Sequence, residues 1–454
     1  MSKKKLTMVV CLVLLLGLLA SCSHKSINLN PKQPITVKLW HNYNGQMQDS
    51  MDELIDEFNI TIGRERGIII SVTSVAAMED QEERLAMITA GIPGAEGMPD
   101  IVTAHPRTAA RLAGEDLIVS LDDALFSSEE LEAYVPQFLE EGRLSDGKLY
   151  VFPIAKSSEI LFVNQTLFDH FSAATGVTLK SLSTFEGIAK AATKYYEWTD
   201  SLTPDISNDG KTFFMADSWG NISLVAMTQL GETFVSSGKL RTDLPQYERI
   251  WQSLVSPACS GAYAVNEGYS ADFSLTGDIV CSLCSTAEII YFGDTITYPD
   301  NTGEEVEYTI LPYPSFQGAK KIALQRGAGM VIAKSEPKKE YAAALFLKWL
   351  SSTEQNMRFV ASTGYLPVTI EAFNSIKALD QEVENPNIRK LREVLQEMET
   401  EYTFITAPNY EGYDEIFTEY EREFKAAMRE GRQRVLSGES VQDVSSSLLD
   451  DLRE

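Results

Sequence analysis

Histidine is scarce in this chain: four occur in 454 residues, His24, His41, His105 and His170. There is no His-x-x-x-His pair, no Gly-x-Ser-x-Gly, no Gly-x-x-x-x-Gly-Lys-Ser/Thr phosphate loop and no Gly-x-Gly-x-x-Gly after a strand. The usual motifs of zinc hydrolases, serine hydrolases and nucleotide-binding enzymes are therefore missing. Paired carboxylates drawn from 65 acidic residues keep a glycosidase-type enzyme open by motif alone. His41 and His105 both follow strands and could supply two metal ligands, too few for a site, so neither metal nor cofactor is expected. Cations are also in deficit: 39 Lys and Arg against 65 Asp and Glu give a net charge of −26. That balance argues against nucleic acid as a partner and against electrostatic adhesion to anionic lipid. Cysteine is sparse at five. Cys281-Ser282-Leu283-Cys284 has half-site spacing, but no second pair completes it. The alternation across Ile279-Val280-Cys281-Ser282-Leu283-Cys284 fits a buried strand with cysteine as a small apolar residue, a disulfide from Cys259 to one of the two being the alternative. Long apolar runs are absent but for the uncharged stretch from Leu6 to Ser21, behind Lys3-Lys4-Lys5. It falls short of the roughly 18 residues of a spanning helix and reads as a secretory signal.

What is present indicates a folded, two-lobed chain. An apolar share of 44% with 9% aromatics excludes global disorder. Even without residues 1–21 the chain exceeds one compact core. Ile35-Thr36-Val37-Lys38-Leu39-Trp40-His41 alternates as a strand, and Met47, Met51, Leu54, Ile55 and Phe58 recur at helical spacing. A β-branched strand after Gly67, a helix carrying Leu85, Ile88 and Thr89 that stops at Gly91 and Pro93, and a strand at Asp100-Ile101-Val102 complete an α/β lobe with a parallel sheet. Ligands of open α/β sheets sit beyond the carboxyl ends of the strands, which directs attention to residues 40–45 and 103–107. Near the C-terminus, Ile416, Tyr420, Phe424 and Met428 form the buried stripe of a long helix. Glu415, Glu419, Glu421, Glu423 and Lys425 are expected on its solvated face, and Ser440 to Asp443 reads as the cap of a last helix.

Two resemblances refine this reading. Leu19-Ala20-Ser21-Cys22 resembles the lipobox of bacterial lipoproteins, which implies lipid attachment at Cys22. Gly147-Lys148-Leu149-Tyr150-Val151-Phe152-Pro153, followed by Ser157 to Phe168, resembles the "G-x-x-Y-G-x-P … L-x-x-N-x-x-L-F" signature of extracellular solute-binding proteins of ABC importers, the maltose-binding-protein-like group. Val151 stands where that pattern has glycine. Further segments agree in order: Trp40 to Gly45; Met87 to Gly91 with Pro99-Asp100-Ile101; Met215 to Asn221 around Trp219; Arg326-Gly327-Ala328-Gly329; Ala342 to Gln355; and Thr363 to Pro367. Where tryptophans of the family follow a Ser/Gly-rich strand, this chain has Ser285-Thr286-Ala287-Glu288, a departure from the maltodextrin pattern.

The resemblance implies a periplasmic-binding-protein-like fold of two α/β lobes, a hinge of three crossing segments and a ligand cleft between the lobes. It divides the chain into a signal at 1–21, a polar tether at 22–34, a first lobe of 35–151 with 308–363 and a second of 152–307 with 364–454. The crossings fall near 150–153, 307–312 and 362–367. The implied function is non-enzymatic: capture of a carbohydrate, with a polyamine, peptide or glycerol-phosphate-like solute as the alternative. The captured solute passes to a membrane permease from a lipid-anchored, extracytoplasmic monomer. Sugar recognition calls for aromatic faces and planar charged groups. The candidates are Trp40, His41, Tyr43, Asp100, Arg107, Glu159, Trp219, Arg326 and Tyr365, and the family pattern places a sugar-contacting carboxylate at Glu159 and an arginine at Arg107.

Overall fold

The computed structural model describes residues 27–453 except 76, 77, 123, 362, 376–384, 409 and 411. The signal and Cys22 lie outside the described residues. Among those described, no helix is long and apolar enough to cross a membrane.

Two sheets organise the chain. The first runs in the order Ile68–Ser74, Ile35–His41, Ile101–Ala104, Gly329–Ile332, Phe152–Pro153. Its first three strands are parallel, and the last two run antiparallel to their neighbours as the chain returns. Helices Gly45–Phe58 and Met78–Thr89 make the crossovers between the parallel strands, so the helix and strand periods read from sequence fall where expected. Met47, Met51, Leu54, Ile55 and Phe58 form the buried face of the first helix, and Phe58 meets Phe346 edge-on at 5.1 Å. Each such side chain contributes about 1.5–3 kcal/mol by leaving water.

The second sheet is ordered Thr403–Ile405, Ile322–Arg326, Ser157–Asn164, Cys281–Ser285, Phe214–Ala216, with Tyr308–Leu311 on the far half of the central strand. Ser157–Asn164 is buried throughout, as a strand covered on both faces must be. Phe162 stacks on Phe292 at 4.2 Å. Cys281 and Cys284 are small buried strand residues, and both are free thiols, as is Cys259. Helix Tyr413–Leu436 buries Tyr420, Phe424 and Met428 and packs against Pro245–Ser260 and Val441–Arg453.

The topology shifts three of the expected boundaries. Tyr308–Leu311, expected in the first lobe, pairs with the second sheet's central strand. Ile322–Arg326 joins that sheet too, so the chain recrosses only between Arg326 and Gly329. Gly327 makes that turn at φ +100°, and a Cβ there would lie 2.9 Å from the Ala155 carbonyl oxygen. The first crossing, at 154–156, is thus held against the second, and Lys156 Nζ donates to the Gly327 carbonyl at 2.7 Å. Residue 366 exchanges two backbone hydrogen bonds with Lys156. Val368 then binds Val135, so the chain is still with the first lobe past the expected crossing at 362–367, whereas helix Pro386–Glu401 packs on Tyr308–Leu311 of the second. The described end of the expected tether, 22–34, meets the fold. Leu29 packs on the core, and Gly67, at φ +76°, leaves room for Asn30, whose carbonyl oxygen would be 2.5 Å from a Cβ at that position.

Candidate functional site

Between the two sheets lies a cavity of about 600 Å³. Asn42, Tyr43, His105 and Arg107 line it from beyond the carboxyl ends of first-sheet strands, and Arg326 and Gly327 from the recrossing. Ser218, Asn221, Ser285, Tyr365, Tyr413 and Phe417 form the opposite wall.

The charged centre of this wall is a carboxylate, a guanidinium and an amide. Glu159, buried in the central strand, accepts from Asn221 Nδ2 at 2.7 Å and from Arg326 Nη1 at 3.2 Å. Burial raises its carboxyl above the ordinary range, and the Arg326 charge and the Asn221 bond oppose that rise. Arg326 and Asn221 face the cavity while Glu159 backs them. Arg107 on the facing wall and Lys156 just behind the lining are matched as well. Lys156 Nζ sits 2.6 Å from Glu141, and Arg107 Nη2 3.4 Å from Glu82. Burial, then the charges of Arg107, Lys156 and Arg326, pushes His105 down to about 3, so the imidazole facing the cavity is neutral.

Helix Trp219–Gln229 points its N-terminus at the cavity, where Ser218 caps it by accepting from Asn221 N. A helix N-terminus is a ready anion site. Here it is filled from within: the Glu421 carboxylate accepts from Ser218 Oγ at 3.0 Å, from Trp219 N at 3.0 Å and from Gly220 N. Glu421, expected on a solvated face, is therefore a structural anion.

Five of the nine sequence candidates gather here: Tyr43, Arg107, Arg326 and Tyr365 on the lining, and Glu159 directly behind it. The other four lie elsewhere. Trp40 is 3% exposed in a small core with Leu85, Val102 and Val151, the Arg84 guanidinium 5.9 Å above its ring. His41 is fully buried, accepting from Tyr43 N at 3.3 Å, and burial lowers its pKa. Asp100 precedes its strand and so stands at the end of the sheet opposite the cavity. There it accepts from Lys38 N at 2.7 Å and pairs with Lys339 at 2.9 Å. Trp219 is 1% exposed, stacked on Tyr263 and edge-on to Phe214, plugging the second lobe. Asn221, Ser218, Ser285, Tyr413 and Phe417 line the cavity without being among the sequence candidates, although the first three fall in segments the family resemblance singles out. A Ser cap three residues before an Asn in a helix's first turn, within the Met215 to Asn221 segment, is the local signal that could have pointed to Ser218 and Asn221.

Over residues 53–387 the chain matches the family model of the bacterial extracellular solute-binding proteins. It belongs to that family. A relative, the sn-glycerol-3-phosphate-binding periplasmic protein UgpB of Rhizobium meliloti, is 23% identical over 76% of this chain and 78% of its own. Among solved structures, UgpB of Mycobacterium tuberculosis in complex with glycerophosphocholine superposes with a TM-score of 0.66 at 18% identity, over 92% of this chain and 98% of that one. The cyclic alpha-maltosyl-1,6-maltose binding protein of Arthrobacter globiformis superposes at 0.64 and 18% identity, over 92% and 97%. A Listeria monocytogenes ABC substrate-binding protein in complex with cycloalternan gives 0.65 and 17%, over 92% and 98%. These likenesses show a shared solute-binding fold, and membership of an extracellular family places the chain outside the cytoplasm.

Proposed function

We propose that this protein captures a neutral carbohydrate in the cavity between its sheets and hands it to the membrane permease of an ABC importer. One observation carries the choice of ligand. Among the described residues the cavity's cations Arg107 and Arg326, and Lys156 beside it, are each paired with a carboxylate, and the helix N-terminus facing it is occupied by Glu421. A phosphate would have to compete with those internal anions. A sugar hydroxyl can instead accept from Arg326 and donate to the neighbouring oxygens of Ser285 or Asn221, with Tyr43, Tyr365, Tyr413 and Phe417 covering apolar ring faces. The maltoside- and cycloalternan-binding neighbours support the same ligand class, and the glycerol-phosphate relatives define the alternative. The protein binds and releases without transforming its ligand, as a monomer held at the membrane by lipid on Cys22. A thermal-shift panel tests the reading, because a ligand bound by the folded state alone raises the melting temperature. Oligosaccharides should raise it and sn-glycerol 3-phosphate should not. A shift with phosphate or its diesters and none with any sugar would overturn the proposal.

A further inference from the structure

Within reach of the Arg326 charge, three side chains from three segments converge: Asp217 after the strand Phe214–Ala216, Cys284 in Cys281–Ser285 and Glu288 in the turn Thr286–Tyr291. One oxygen of each carboxylate is fixed by a backbone donor. Ser270 N reaches Asp217 Oδ1 at 2.8 Å and Ser285 N reaches Glu288 Oε1 at 3.2 Å. The second oxygens, Asp217 Oδ2 and Glu288 Oε2, are buried with no hydrogen-bond partner, and Glu288 is only 9% exposed. A ligand atom from each of the three residues lies within 4.8 Å of the others. Carboxylate oxygens so close and so buried must either share a proton or hold a cation between them. Arg326 does not supply that cation by contact, since its hydrogen bond goes to Glu159.

We propose that Asp217, Cys284 and Glu288 form a binding site for a thiophilic divalent cation of the Zn²⁺ class. One thiolate with two carboxylates suits zinc better than the all-oxygen shells of calcium or magnesium. Water takes the fourth position, with the Ser270 hydroxyl beside the thiol. Asp217 also lines a surface cavity of about 470 Å³, whose rim carries Glu267 and Glu421 together with Arg422, Lys425 and Arg429. Fully ionised, the three ligands hold one negative charge more than the metal neutralises, and that excess faces Arg326. Ser218 and Ser285, which line the solute cavity, are chain neighbours of Asp217 and Cys284. The ion would thus brace the second-lobe wall without touching the solute. Asp217 lies 67 residues before Cys284 in the sequence, so spacing alone could not bring the three ligands together.

Untagged, chelator-treated protein titrated with Zn²⁺ and followed by native mass spectrometry tests this. Bound zinc should appear at one per chain, and Co²⁺ substitution should give a thiolate-to-cobalt absorption band. Cys284→Ser should abolish that band while Cys281→Ser keeps it. Asp217→Asn, which keeps the shape of the side chain, should weaken zinc by more than the roughly 10–100-fold typical of losing an outer-shell partner. No stoichiometric zinc on the unmutated protein, the result expected if a proton alone is shared between the carboxyls, would overturn the proposal. So would a cobalt–thiolate band that survives in Cys284→Ser.

Discussion

Glu159 and Trp219 separate recognition from packing at the level of single residues. Glu159→Gln keeps the shape of the side chain but removes the charge that holds Arg326 against the cavity. Hydrogen bonds to charged groups are worth about 1.5–3 kcal/mol, so solute affinity should fall by about tenfold or more in calorimetric titration. Trp219→Ala should act on the fold instead. It empties a fully buried site beside Tyr263 and Phe214, and such truncations cost about 3–5 kcal/mol, measurable by urea unfolding of the unliganded protein. A Trp219→Ala variant that unfolds like the wild type yet binds poorly would return the indole to the cavity. His105 supplies the pH dependence. Its folded-state pKa is depressed, so its contribution to stability is complete above the unfolded value of about 6.5 and is lost as pH falls toward the folded value of about 3. Buried Glu159 has the opposite sign, contributing at low pH and losing that contribution as pH rises through its elevated value. Comparing melting temperatures isolates the imidazole: wild type should lose ground to His105→Gln as pH drops below 6.5. A pH-independent difference would contradict the assignment.

At the scale of elements, the N-terminus of helix Trp219–Gln229 is the feature that most shapes the chemistry. Glu421 reaches it from helix Tyr413–Leu436, across 200 residues of sequence, and its carboxylate meets the positive end of the helix dipole. Glu421→Gln should lower stability by about 1–2 kcal/mol in urea titration, and should leave that terminus more receptive to anionic solutes. A variant as stable as wild type would show the contact to be incidental. Sequence could reveal the helix around Tyr420 and Phe424, because a four-residue apolar period is local information. It could not reveal which acid on the opposite face docks on a distant helix end, because solvated and buried glutamates share one pattern. The same limit explains Trp40 and Asp100. The first loop was correctly located at the carboxyl end of its strand, as Asn42 and Tyr43 show. Trp40 still belongs to the strand's buried run, and Asp100 comes before its strand. The period of a strand says which face a side chain takes; a residue's position along the strand, before or after it, decides whether it can meet a solute.

For the molecule as a whole, strand and helix periods together with ordered motifs made the two-lobed α/β fold legible. The crossings were read less well, because each strand after residue 307 could join either sheet and only pairing decides. Tyr308–Leu311 and Ile322–Arg326 complete the second sheet before the chain recrosses at Gly327. Ala155, Lys156, Gly327 and Leu366 consequently pack against one another, tying two of the passages between lobes to the strand-like segment at Leu366. Lobes joined in this way can close around a solute by rotation at few residues. Tyr291 OH already reaches Asn44 Oδ1 across the two lobes at 3.0 Å. Capture between the sheets therefore predicts that one ligand protects both walls together. Hydrogen–deuterium exchange with and without a bound oligosaccharide measures this directly. Backbone protection should rise together at residues 105–107 on the first lobe, 218–221 on the second and 326–328 at the recrossing. Protection confined to one lobe, or none around Arg326, would contradict the account.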